Sequence, residues 1–208
     1  RKYWDIENIE KQDPSDDELR ELVIDSINIR KIADVSVGSY LSGGLDSSII
    51  TSLLKPKYTW TVGFDNQNEF EWGKIMSNQI KSIHSETTVS EIEFLETAKM
   101  MINKKKEPLS VPNEVLIYIM TNKVKKFNTV ILSGEGADEL FWGYDRIFRK
   151  INEMNKLNVE IFNDYYCYGS QKDDEVIDYA LEHLNGSTPI LKLGYYFQIH
   201  HLSGLLRR

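Results

Sequence analysis

The sequence predicts an α/β fold, a doubly wound parallel sheet followed by a helical C-terminal part. Two observations carry that reading. Short apolar runs alternate with single helical segments, which implies parallel strands joined by right-handed crossovers with helices on both faces. Two glycine-containing segments, Ser42–Ser47 and Ser133–Tyr144, each follow one of those apolar runs. In doubly wound sheets, ligands collect at the carboxyl ends of strands, so folding should bring both segments to one rim.

The elements follow in order. Pro14-Ser15-Asp16-Asp17-Glu18 starts a helix, with Ser15 and Glu18 spaced as a capping box. Leu19, Leu22, Val23, Ser26 and Ile27 mark one face of that helix, which should end near Ala33. Val35 to Leu41 reads as the first buried strand and Ser47 to Leu54 as a helix. Tyr58 to Phe64 is a second strand, Glu69 to Lys81 a helix and Glu86 to Ser90 a short third strand. Ser90-Glu91-Ile92-Glu93 opens a helix ending near Ile102, again in a capping-box pattern. Glu114 to Phe127 is helical, and Thr129 to Ser133 is the fourth strand. From Asp145 onward the pattern is helical, clearest over Asp173 to Leu184 before Asn185-Gly186. There is no internal repeat and no low-complexity stretch. At 208 residues one substantial core is the default, divided as a lead-in segment (1–14), an α/β core (15–144) and a helical part (145–208).

Composition bounds the function. Hydrophobic content of 41% with 27% charged residues is ordinary globular usage. A net charge of −7 and a pI near 5.2 argue against a general nucleic-acid or membrane-surface role. Lys104-Lys105-Lys106 reads as a solvated helix end. No apolar run reaches membrane-span length, and no signal-peptide segment is present, so the expected compartment is the cytoplasm. The single cysteine, Cys167, cannot form an internal disulfide and has nothing near it in sequence to lower its pKa. His84, His183, His200 and His201 show no metal-ligand spacing.

A strand, a glycine turn and a helix present unpaired backbone N–H groups and a positive dipole end to a phosphate. Gly43 and Gly44 let the backbone approach an anion, and Ser42, Ser47 and Ser48 add hydroxyl donors. Asp46 would repel phosphate unless Mg²⁺ lay between them. The plainer alternative is a tight turn before a helix. The common P-loop is excluded, because no lysine occurs between the turn and Lys55. The three-glycine dinucleotide fingerprint is missing as well.

Ser42-Gly43-Gly44-Leu45-Asp46-Ser47 resembles the pyrophosphate-binding loop of the N-type ATP pyrophosphatases, whose fold is adenine nucleotide α-hydrolase-like. Together with Ser133-Gly134-Glu135-Gly136-Ala137-Asp138-Glu139-Leu140-Phe141-Trp142-Gly143-Tyr144, it resembles the synthetase domain of the glutamine-dependent asparagine synthetase family. Tyr3-Trp4-Asp5-Ile6 is similar to the lead-in to that domain, and Thr61-Val62-Gly63-Phe64 to the strand beside the adenine. Glu107-Pro108-Leu109-Ser110 with Pro112-Asn113 is similar to the substrate loop. The likeness covers about residue 3 to residue 208.

The resemblance implies ATP and Mg²⁺ as cofactors and a ligase that adenylates a carboxylate, releases pyrophosphate and transfers ammonia to form an amide. L-aspartate is the expected acceptor. Alternatives are a sugar acid, a β-amino acid whose ring is closed, or a non-catalytic nucleotide-binding module. By the same resemblance, Ser42, Gly43, Gly44, Ser47 and Ser48 hold pyrophosphate, and Leu41, Val62, Ser133 and Gly134 line the AMP pocket. Asp46 and Asp138 hold the metal, and Ser110 and Asn113 contact substrate or make routine turn hydrogen bonds. Glu135, between glycines, handles protons during ammonia attack or holds the substrate amine; its structural alternative is pairing with a cation or helix N-terminus. Glu139 is second to it, or a helix N-terminal charge.

Glu71 and His84 match acidic and histidine positions of the family, whereas Ser85 departs from its paired histidines. Trp142 stands where a glycine is common, and either narrows the pocket or packs outside it. The glutaminase domain that would supply ammonia has an N-terminal cysteine nucleophile, whereas this chain begins with Arg1, so a synthetase fragment cut at both ends is expected. The resemblance allows a homodimer.

Overall fold

The computed structural model describes residues 13–166, 174–184 and 186–205. Tyr3-Trp4-Asp5-Ile6, Cys167, Asn185 and the end from Leu206 lie outside them. The chain divides into two compact units, Pro14–Gly134 and a second that begins at Glu135.

The first unit is a four-stranded parallel sheet flanked by helices, a doubly wound arrangement. Its elements are α1 (Asp16–Arg30), β1 (Val37–Tyr40), α2 (Leu45–Leu54), β2 (Tyr58–Phe64), α3 (Phe70–Ile80), β3 (Ile83–Val89), α4 (Glu91–Lys105), α5 (Asn113–Val124) and β4 (Val130–Leu132). The strand order is β3-β2-β1-β4. The chain winds outward from β1 to β3, then crosses back to lay β4 on the other side of β1. The β1/β4 boundary is therefore the switch point, where a crevice opens beyond the carboxyl ends of the strands.

Strand β2 shows how the layers form. Its side chains alternate: Thr59, Thr61 and Gly63 lie on one face, and Trp60, Val62 and Phe64 on the other. Trp60 packs with Met120 and Val124 of α5, and its indole N–H donates to Asn128 Oδ1 over 3.1 Å. Val62 and Phe64 join the cluster of Val89, Met101, Val115 and Ile119. The Thr59/Thr61 face turns toward α3.

The capping box at Ser15 forms: its hydroxyl accepts from the Glu18 N–H, and the Glu18 carboxylate accepts from the Ser15 N–H. Several boundaries differ from the sequence expectation. α1 stops at Arg30, not near Ala33, and of its apolar face Leu19 and Leu22 are exposed while Ile27 is buried. β1 begins at Val37, not Val35, and α2 begins at Leu45, not Ser47. β3 begins at Ile83, not Glu86, and α4 runs to Lys105, past Ile102. α5 ends at Val124, not Phe127, because Lys126 and Phe127 turn back on the carbonyls of Lys123 and Val124.

The second unit carries α6 (Ala137–Phe141), α7 (Asp145–Met154), α8 (Val159–Tyr166), α9 (Asp174–Glu182), α10 (Pro189–Tyr196), a π-helical turn (Phe197–His201) and α11 (Leu202–Leu205). Ile147, Phe148, Ile151, Ile161, Phe162, Leu193 and Phe197 form its core. Thr188 caps α10 by accepting from the Leu191 N–H, with Pro189 in the first turn. Among the described residues, no helix is long and apolar enough to cross a membrane.

Candidate functional site

The glycine turn leaves β1 at Leu41 and enters α2 at Leu45. Gly43 has φ +89°, and a Cβ there would stand 2.3 Å from Trp72 Cβ and 2.9 Å from the Gly73 backbone nitrogen. Only glycine satisfies both the left-handed backbone and the close approach of α3. Gly44 differs. Its φ is −66°, and an added Cβ would meet only Ser42 Oγ, at 3.4 Å. Gly44 also caps α2 without a side-chain hydrogen bond, so the helix N-terminus keeps its donors for something else. That open cradle fits a phosphate group.

Hydroxyls fix the shape of the turn. Ser47 Oγ donates to the Gly44 carbonyl over 3.2 Å, and Ser42 Oγ lies 3.0 Å from Ser47 Oγ while accepting from the Gly44 N–H. Ser42 and Ser47 thus hold each other, and Ser47 is buried. Ser48 donates its N–H to the Gly44 carbonyl and is half-buried. Leu41 is fully buried; its N–H donates to the Trp60 carbonyl, and its own carbonyl accepts from Thr61 Oγ1.

Ser133 and Gly134 follow β4, which pairs with β1 through Val37↔Val130, Gly38↔Ile131 and Ser39↔Leu132. A Cβ on Gly134 would lie 3.0 Å from both Asp46 Cβ and the Ser47 nitrogen. The first turn of α2 and the end of β4 are therefore in contact, and Asp46 stands half-buried at that junction. Val62, on the neighbouring strand, turns its side chain into the core.

The loop before α5 is organised by Glu114. Its buried carboxylate accepts from the Ser110 N–H at 2.8 Å, the Val111 N–H at 3.4 Å and Lys105 Nζ at 3.0 Å. Burial opposes ionisation of Glu114, but the Lys105 and backbone hydrogen bonds outweigh it and hold the carboxyl below its ordinary pKa. Leu109 packs onto the cluster containing Val89, the last residue of β3, so the loop sits by the carboxyl ends of the strands. Ser110 and Asn113 are exposed on it. Sequence reasoning missed Glu114, although an acid in the first turn of a helix behind two prolines was visible.

In the second unit, Glu135 and Asp138 are exposed and Glu139 is buried. Gly136 has φ +96°, the backbone turn that separates Glu135 from α6. A Cβ on Gly143 would fall 1.8 Å from Asp138 Oδ1, so Gly143 makes room for that carboxylate. Tyr144 donates its hydroxyl hydrogen to Glu139 Oε1. Trp142, at φ +60°, stacks on Phe148 at 5.1 Å and 13° and lies against Gly194. It packs into the helical unit.

Among the described residues, no group of three or more His, Cys, Asp or Glu side chains could cage a metal. Mg²⁺ bound to a nucleotide needs no cage, because phosphate oxygens and water complete its shell around one or two carboxylates. Asp46 and Asp138 are hard oxygen donors of that kind.

A sequence model of the family described as asparagine synthase matches residues 18–193. Asparagine synthetase [glutamine-hydrolyzing] 1 of Bacillus subtilis is 37% identical over 139 residues, which cover 64% of this chain and 22% of that protein. Asparagine synthetase B [glutamine-hydrolyzing] of Escherichia coli is 27% identical over 182 residues, 77% of this chain and 32% of that protein. A looser likeness, TM-score 0.46 at 15% identity, relates 90% of this chain to 95% of an NH3-dependent NAD synthetase from Campylobacter jejuni. The chain spans less than a third of the length of both curated relatives.

Proposed function

The chain belongs to the asparagine synthase family, and on that premise we propose that it is the ATP-dependent, amide-forming ligase domain of an asparagine synthetase. One observation supports this most directly. An uncapped helix N-terminus and an open glycine, Gly44, stand at the switch point of a parallel sheet, with Gly134 of the neighbouring strand end against Asp46 and Ser47.

A carboxylate is a poor electrophile, and ammonia cannot displace oxide from it at neutral pH. ATP removes the obstacle. The acceptor carboxylate, taken here as that of L-aspartate, attacks the α-phosphorus, the α–β bridge breaks and pyrophosphate leaves. Ammonia then adds to the acyl carbon, AMP departs and the amide remains. Gly43 and the first turn of α2 offer backbone N–H groups to the departing pyrophosphate, Gly44 leaves it space, and electrostatic positioning dominates the barrier. Leu41, Val62, Ser133 and Gly134 line the AMP pocket. Asp46 and Asp138 would hold Mg²⁺, which neutralises charge developing on the phosphates. Glu135 takes the proton that ammonia sheds as it attacks, and Ser110 and Asn113 contact the acceptor. Ammonia is delivered by a glutaminase domain.

Aspartate-dependent release of pyrophosphate from Mg-ATP, with ammonium replacing glutamine, is the test. Asp46→Ala should weaken Mg-ATP binding by calorimetry. Release of ADP and phosphate would rule out adenylation, and unchanged binding by Asp46→Ala would remove Asp46 from the metal site.

A further inference from the structure

We propose that His84 is a positioning residue for the nucleotide loop: as a neutral imidazole protonated on Nε2, it orients Thr61, which in turn holds the Leu41 carbonyl where β1 enters the glycine turn. The inference rests on the nucleotide-binding reading above.

The groups involved line up across the sheet. Thr59 and Thr61 share one face of β2, and His84 pairs with Thr59 across the β2/β3 ladder. His84 Nδ1 is 3.0 Å from Thr59 Oγ1, and Nε2 is 3.4 Å from Thr61 Oγ1. Helix α3 closes over them with a glycine. A Cβ on Gly73 would fall 2.9 Å from Thr61 Oγ1, 3.2 Å from the Leu41 oxygen and 3.3 Å from His84 Cε1. The histidine side chain is only 9% exposed.

Proton counting fixes the tautomer. Thr61 has one hydroxyl hydrogen, and it goes to the Leu41 carbonyl. Toward His84, Thr61 can only accept, so the imidazole hydrogen is on Nε2. Nδ1 is then bare and accepts from Thr59, whose oxygen accepts from Ser82 Oγ at 3.2 Å. From Thr59 onward every donor in this series points toward Leu41, the residue before Ser42, while Ser82 Oγ also lies 3.2 Å from the Lys57 carbonyl. A second proton on the ring would make Nδ1 a donor, turning the Thr59 hydroxyl hydrogen to Ser82 Oγ and the Ser82 hydrogen to the Lys57 carbonyl.

The surroundings favour the neutral ring. Burial lowers the pKa of His84; Glu86, with Oε1 4.0 Å from Nε2, pulls the other way, and Lys74 on α3 reinforces the lowering. From β2 the ring meets the uncharged Thr59 and Thr61.

Two measurements on the 208-residue chain test the assignment. Long-range ¹⁵N–¹H correlation spectra should show His84 neutral and Nε2-protonated at about pH 6.5, where an ordinary imidazole is half charged. In parallel, Mg-ATP affinity is followed against pH by calorimetry for the wild type, H84Q and T61V, with each variant's fold checked by urea unfolding. ATP itself takes up a proton in this range, so the readout is the ratio of wild-type to H84Q affinity. That ratio should be about tenfold across the range, because a charged ring keeps its Nε2–H, and T61V should lose about as much, as expected for one lost buried hydrogen bond. An Nδ1-protonated or fully charged ring, or a ratio near one while ATP still binds, overturns the role of His84 and leaves the nucleotide reading standing. ATP binding by none of the proteins sinks the nucleotide reading and the positioning role with it.

Discussion

Ser39 and Thr51 share a hydrogen bond of 2.8 Å beneath the glycine turn, and both residues are fully buried. The bond ties β1 to α2 on the side away from solvent, so the turn between them spans a fixed gap. Thr51→Val should leave the Ser39 hydroxyl with only the Tyr40 carbonyl, 3.2 Å away, and lower stability by about 1 kcal/mol. Ser39→Ala combined with Thr51→Val should cost less than the sum of the two single changes, since each removes the same bond. Urea unfolding of the single and double variants measures both. Strictly additive losses would show that the two hydroxyls do not act as a pair.

Glu114 makes the loop before α5 sensitive to acid. Its folded-state pKa lies below the unfolded one, so its contribution is complete above the unfolded value, near 4.3 for a free glutamate. That contribution fades as the pH falls through the folded value. Glu114→Gln should cost about 1–2 kcal/mol at neutral pH and progressively less as the pH falls below the unfolded value. Unfolding midpoints of the two proteins should therefore converge in acid; a gap unchanged down to pH 3 would contradict the ionic role.

Gly43 and Gly44 should respond differently to alanine. At Gly43 the added methyl meets Trp72 and an unfavourable φ together, so Gly43→Ala should damage the fold. At Gly44 the protein leaves space, and Gly44→Ala should change stability by no more than about 1 kcal/mol. Its effect should fall on Mg-ATP affinity, by tenfold or more, if a phosphate occupies that space. Calorimetry alongside thermal unfolding separates the two effects, and a Gly44→Ala protein that binds ATP normally would mean that the phosphate sits elsewhere.

The two acids flanking Gly136 should separate by reaction step. If Asp138 holds Mg²⁺, Asp138→Asn should suppress exchange between pyrophosphate and ATP, because the charge developing on the phosphates loses its neutralising partner. Glu135→Gln should permit exchange while amide formation falls by about 10²–10⁴-fold, as for a lost general base. Equal loss of exchange in both variants would place Glu135 in the first step.

How much of this was legible in the sequence depends on what each segment packs against. Tyr58–Phe64 was read to the residue, because apolar and β-branched positions alternate between Pro56-Lys57 and Asp65. β3 was read short, since Ile83, His84 and Ser85 look like a loop; they are strand because His84 finds Thr59 and Thr61 under α3. α4 was read short for a different reason. The left-handed residue that ends it is Lys106 at φ 61°, and lysine is no stop signal. At the site, the glycine turn and the strand-end glycine were plain from residue type and order. The Glu114 clamp and the Thr61–Leu41 contact were not, because both depend on pairing residues from different elements. Trp142 explains itself only in three dimensions: the left-handed backbone there suits glycine, and stacking on Phe148 offsets the cost of an indole.

The strand order has a consequence for how the site comes into being. β1 and β4 are partners in the sheet, yet β2, β3 and the helices α2 to α5 lie between them in the chain. Closing so long a loop is entropically costly and is repaid only when the last strand docks, which makes the β1–β4 pairing a late event. A chain emerging from the ribosome can therefore shape its glycine turn early, but it lacks the Gly134 wall until β4 has been synthesised and seated beside β1. On the nucleotide-binding reading, affinity becomes a report of completed folding: half-made chains should bind ATP poorly, and ATP, by favouring the finished sheet, should protect the strand that arrives last.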